Sequence, residues 1–174
     1  MKALLVVDVQ EGIFNKVMKV FNEESLLMNI NKMIDSFIIH NEPIIFIRHN
    51  NNGMLKLGTK DWEVHHELHK GTDKDKVYFV NKDKSDIFRI NEFSVLLENL
   101  KVNEIVVTGL VTHGCVKAAC LSGLEKGYGV TLISDGHSSF NKKAKSLIEE
   151  WNVLFRENGI NLFSASDYVR LMSL

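Results

Sequence analysis

Few cysteines, almost no net charge and no long apolar run set the first limits on this chain. Its 174 residues carry two cysteines, Cys115 and Cys120. Two thiols so close in sequence make no disulfide framework, and free thiols suit a reducing compartment, so the expected location is the cytoplasm. Lysine and arginine total 21 against 22 aspartate and glutamate, a formal net charge of -1. No global field therefore points to nucleic acid or to an anionic membrane. No apolar run approaches the ~20 residues of a membrane helix. The opening "MKALLVVDVQ" reaches Asp8 too soon for a signal-peptide core and has no small-residue cleavage site. A glycine-rich dinucleotide fingerprint and a P-loop are also missing, so no organic cofactor is expected. What remains is the profile of one globular domain over residues 1–174, with 45% hydrophobic and 25% charged residues.

Short β-branched runs alternate with helical patterns along the chain. Strands are expected at Ala3–Asp8, Pro43–Arg48, Val77–Asn81, Glu104–Thr108 and Val130–Ser134, with a weak one near Ile160–Phe163. Apolar residues at helical spacing predict helices over Glu24–Ile39, Asn91–Leu100, Cys115–Lys126 and Phe140–Asn158. Gly127 is placed to cap the third of these. The run Ile105–Val107 has no polar alternation, as in a parallel strand buried on both faces. Strands alternating with helices predict an α/β fold with a doubly wound sheet. Residues 50–75 are the least regular stretch, an excursion of a kind that often builds part of a site.

In open parallel sheets, ligands bind beyond the C-terminal ends of the strands. Asp8 ends the first strand, Lys82 lies just past the third, and Cys115 follows the fourth at the mouth of a helix. A helix N-terminus and a nearby cation both favour thiolate over thiol, starting from a free value of about 8.5. A carboxylate within reach can take the thiol proton, and backbone N–H groups of the turn can hold an oxyanion. Cys120, inside the helix, reads as a small buried hydrophobe. A phosphatase using Asp8 as nucleophile is set aside, because the aspartate needed two residues later is Gln10.

The stretches "ALLVVDVQEGIF", "LGTKDWEVHHEL", "VNKDKSDIF" and "VVTGLVTHGCVKAACLSGLEKGYGVTLISDGHSS" resemble the isochorismatase-like cysteine hydrolases, which include the nicotinamidases. The resemblance implies a three-layer α/β fold with a six-stranded parallel sheet, and a catalytic triad of Asp8, Lys82 and Cys115. Lys82 is preferred to Lys84 because the family's lysine stands six residues before a phenylalanine, here Phe88. Asp86 and Ile87 replace the usual Ser and Ala. The resemblance also implies a cis peptide at Leu110–Val111, with the N–H groups of Val111 and Cys115 as oxyanion hole. His49, Asn50, Trp62, His113 and Phe140 are its implied pocket residues. A small-molecule substrate and a homodimer or homotetramer follow from the same source.

Nicotinamidases hold a divalent metal through an Asp-x-His motif after the second strand. Here that place reads "RHNNNG". His65 and His69 in "HHELH" are four apart, a helical pair, but no third ligand stands at a clear spacing, so no metal is expected. The chemistry implied is hydrolysis of a small amide-like substrate through a Cys115 thioester. The alternatives are vinyl-ether hydrolysis, which uses the aspartate and lysine and can dispense with the cysteine, and an idle binding or assembly subunit.

Overall fold

The computed structural model describes residues 1–174. Six strands, β1 (Lys2–Val7), β2 (Ile44–His49), β3 (Val77–Lys82), β4 (Glu104–Leu110), β5 (Gly129–Ser138) and β6 (Asn161–Phe163), form one sheet in the order β3-β2-β1-β4-β5-β6. Every neighbouring pair is parallel. The α/β, doubly wound, six-stranded architecture read from the sequence is the one present.

The period-2 pleat explains why β1 is apolar without alternation. Leu4 and Val6 face one cluster, and Ala3, Leu5 and Val7 face the other. Helices α1 (Glu11–Phe14), α2 (Glu23–Ile39) and α6 (Ala165–Met172) cover the first face. Helices α3 (Asn91–Asn99), α4 (Lys117–Glu125) and α5 (Ala144–Glu157) cover the second. The two clusters hold 22 and 20 buried residues, so the sheet is the middle of three layers with near-equal cores on both sides.

Several boundaries differ from the sequence expectation. Lys82 is the last residue of β3 and not a loop residue past it. The helix expected from Cys115 begins at Lys117, because Gly114 takes a non-helical conformation and Thr112–Val116 forms a tight turn. The helix expected from Phe140 begins at Ala144, since Asn141 closes a turn by accepting from the Lys143 N–H through its side chain at 2.9 Å. β5 runs four residues further than expected, past an irregularity opposite Val107 and Gly109.

β4 lies against β1 at Gly109, the register partner of Val7, with no room for a side chain. Its φ is +118°, and a Cβ there would lie 2.1 Å from the Val7 carbonyl oxygen. The obstacle is backbone of the central strand, which cannot move aside. Gly109→Ala is therefore expected to cost at least about 3 kcal/mol, whereas Gly58→Ala, with φ +81° and open space around it, should cost about 1 kcal/mol. Melting curves of the two variants check this; equal losses would contradict the close-approach account.

Candidate active site

The sheet delivers four side chains to one spot at its C-terminal edge. Asp8 follows β1 directly and takes a left-handed backbone conformation (φ 53°), which turns the chain out of the sheet. His49 ends β2 and Lys82 ends β3, and the two are register partners. Cys115 comes from the turn between β4 and α4. The peptide Leu110–Val111 is cis. The Val111 N–H has no acceptor within the protein.

Lys82 is buried, at 1% exposure, yet its ammonium is fully bonded. Nζ lies 3.0 Å from Asp8 Oδ2, 3.1 Å from His49 Nδ1 and 3.2 Å from Cys115 Sγ. An ammonium has three protons to donate and here has three acceptors. Lys84, the competing lysine of the sequence, is exposed and plays no part. Gln10, not singled out by the sequence, fixes the end of β2. Its amide accepts from the His49 N–H at 2.9 Å and donates to the His49 and Trp62 carbonyls at 2.9 and 2.8 Å.

The electrostatics correct one expectation. Burial, and then the Asp8 charge, push the Cys115 thiol up from 9.0 to about 12, against the smaller opposite pull of Lys82. The resting sulfur is therefore a neutral thiol and not the thiolate expected from a helix N-terminus and a cation. Burial, then Lys82, lower His49, so its imidazole is neutral and Nδ1 accepts. The second Asp8 oxygen, Oδ1, is buried without a regular hydrogen-bond partner. The Asp8 charge beside the sulfur holds the proton on the thiol. The site thus stores a proton on Cys115 beside a carboxylate with a free oxygen.

A cavity of about 260 Å³ opens onto Asp8 and Cys115. Ile13, Leu55, Leu110 and Phe140 supply apolar wall; Asn51 and Lys16 supply polar groups. Of the expected pocket residues, His49 and Phe140 line it, and Asn50, Trp62 and His113 do not. Trp62 is instead buried under the Arg48 guanidinium, 3.9 Å from its ring centre, and His113 is exposed on the turn.

The histidines expected as a helical pair are not one, because residues 64–69 form no helix: Val64 bridges to Gln10 and the turn covers only His66 and Glu67. His69 Nδ1 lies 2.7 Å from Asp35 on α2, while His65 stacks on His66 and packs at a tilt against Phe14. His49 faces the Lys82 ammonium, a poor neighbour for a metal cation. The ligand atoms of Glu11, His65 and His66 lie within 4.8 Å of one another, but Glu11 Oε1 already takes the His66 N–H and Nδ1, each at 2.7 Å. These residues do not fit the Asp-x-His metal set of the nicotinamidases.

The isochorismatase domain profile matches residues 2–149. The chain is 28% identical over 138 residues to the isochorismatase family protein YddQ of Bacillus subtilis, covering 76% of this chain and 75% of that one. It is 27% identical over 156 residues to Nicotinamidase 3 of Arabidopsis thaliana, covering 81% and 75%. A crystal structure of an isochorismatase family protein superposes with a TM-score of 0.86 at 22% identity, over 94% of this chain and 98% of that one.

The charges around sulfur predict opposite responses in two variants. Asp8→Asn removes the charge that holds the proton, so Cys115 should react faster with iodoacetamide at neutral pH. Lys82→Met removes the cation 3.2 Å from sulfur, so it should react more slowly. In the unaltered protein the rate should keep rising above pH 9.0, while the unfolded chain levels off near that value. The raised thiol also contributes stability that is full below the unfolded value and is lost as pH climbs toward the folded one. Equal rates in all three proteins would contradict this picture.

Proposed function

The chain belongs to the isochorismatase family, and we propose that within it the protein is a cysteine hydrolase that cleaves the C–N bond of a small amide. One observation carries the reading: a single buried ammonium holds a carboxylate and a thiol at 3.0 and 3.2 Å while the other carboxylate oxygen stays unpartnered. The family's nicotinamidase relative supports amide chemistry. The catalytic residues are Asp8, Lys82 and Cys115.

Because sulfur rests as a thiol, attack and proton transfer belong to one step. Asp8 takes the Cys115 proton as Sγ adds to the substrate carbonyl. The carbonyl oxygen becomes an oxyanion, held by the N–H groups of Val111 and Cys115; the free Val111 N–H is suited to that task. Lys82 offsets the developing charge on sulfur and keeps Asp8 oriented. The C–N bond then breaks, and Asp8 returns its proton to the departing amine or ammonia. Water gives a proton to Asp8 and attacks the thioester, and the C–S bond breaks to release the acid and restore the thiol. His49 accepts from Lys82 and so fixes the third ammonium proton away from the reaction.

The cavity suggests what the amide carries. Lys16 lines its wall with the ammonium 4.4 Å from the Phe140 ring centre, and no carboxylate pairs with it. With His49 neutral and the Asp8–Lys82 pair balanced, the cavity is net cationic. A carboxylate-bearing amide fits it better than a neutral one. Both cysteines are free, which suits the cytoplasm, and no helix is long and apolar enough to cross a membrane.

The test is ammonia release from small amides, ureas and imides, with Cys115→Ala as the blank. Turnover is expected with the natural protein and none with the variant. Turnover surviving in Cys115→Ala would favour chemistry by Asp8 and Lys82 alone, as in vinyl-ether hydrolysis. Among accepted amides, Lys16→Met should raise KM for acid-bearing ones about three- to fivefold and leave neutral ones unchanged.

A further inference from the structure

β5 does not run evenly beside β4. Leu132 pairs with Val107, but the next partner, Gly109, pairs with His137. Residues 133–136 therefore bulge, and a bulge re-aims the strand that follows it. The result brings His137 to Thr112, in the turn that carries Val111 and Cys115.

His137 is buried and bonded at both ring nitrogens. Nε2 lies 2.8 Å from Asn152 Oδ1, and Asn152 Nδ2 donates to the Ser134 carbonyl at 3.2 Å. That second bond decides which end of the amide accepts, so Nε2 carries the imidazole proton and Nδ1 is bare. Thr112 Oγ1 lies 2.8 Å from Nδ1 and 3.2 Å from the Ser138 carbonyl. Its one proton goes to the nearer and better acceptor, Nδ1. Burial lowers His137 to about 4, so the imidazole stays neutral and the pattern holds at neutral pH. The chain of bonds runs from α5, through β5, into the turn.

We propose that His137 is a positioning residue for acyl transfer: by accepting from Thr112 it fixes the turn that presents the Val111 and Cys115 N–H groups to the oxyanion. The proposal rests on the thioester reading above. His137 touches neither the sulfur nor the cavity, and it acts only through Thr112. It therefore affects a reaction that builds an oxyanion and spares one that does not.

Two probes make that distinction. With p-nitrophenyl acetate, Sγ adds to the carbonyl through an oxyanion, the C–O bond breaks, nitrophenolate leaves and the thiol proton passes to Asp8. With iodoacetamide, Sγ displaces iodide at a saturated carbon and no oxyanion forms. Counting atoms from Cα, His137→Asn keeps an acceptor at the Nδ1 position, while His137→Gln keeps a donor at the Nε2 position and loses that acceptor. His137→Gln should slow acylation at least tenfold with alkylation of Cys115 unchanged, a fraction of the 10²–10³ that a lost oxyanion donor costs. His137→Asn should retain most acylation even where its melting temperature falls as far as that of His137→Gln. Thr112→Val should match His137→Gln, and the two together should be no worse than either. Acylation that tracks melting temperature in all variants, or full acylation in Thr112→Val, overturns the positioning role. If the natural protein acylates no faster than Cys115→Ala, the thioester reading fails, and this proposal fails with it.

Discussion

A buried ammonium is the constraint on which the rest of the structure depends. Removing a charge from water costs several kcal/mol, and Lys82 is tolerable only because each of its three protons meets an acceptor. Those acceptors come from the residue after β1, the end of β2 and the turn after β4, so satisfying one cation aligns three separate segments. Deleting one partner of such a pair typically costs about 3–5 kcal/mol, since the other charge is left buried alone. In the proposed mechanism the demands of folding and of chemistry fall on the same atoms, and Lys82 is better probed by methionine, which keeps its bulk, than by alanine.

The same arrangement explains why the sulfur is not pre-ionised. Asp8 is held beside Cys115 by Lys82, and the carboxylate charge outweighs the benefit of the ammonium on sulfur. A thiolate at rest would place two anions against one cation in a largely buried site. Keeping the proton on sulfur leaves one anion and one cation, with Asp8 Oδ1 unpartnered beside them. A protonated sulfur is also less open to adventitious oxidation than a thiolate.

Much of this was legible in the sequence. Asp8, Lys82 and Cys115 could be placed because each follows an apolar β-branched run, and parallel sheets collect such positions at one edge. The choice of Lys82 over Lys84 rested on the distance to Phe88, and that residue is buried in the turn after β3. Asp86, which departs from the usual serine, has its own task there: it accepts from the Phe88 N–H at 3.0 Å and from Ser122 of α4 at 2.7 Å. α6 was missed although its signal was present. Ser164 caps it by accepting from the Asp167 N–H at 3.1 Å, a local pattern readable from the two residues alone. Other features could not be read. The ionisation of Cys115 depends on burial and distance, the four-residue spacing of His65 and His69 means nothing without a helix, and the partners of His137 are set by a bulge that no periodicity announces.

The central claim is that Cys115 carries the acyl group. Intact-mass and peptide mass spectrometry, after rapid quenching of the protein mixed with p-nitrophenyl acetate, tests it most directly. The account predicts one acetyl group, located on Cys115, that disappears as acetate is released and never forms in Cys115→Ala. Release of nitrophenolate by the folded protein with no adduct on Cys115 would contradict it.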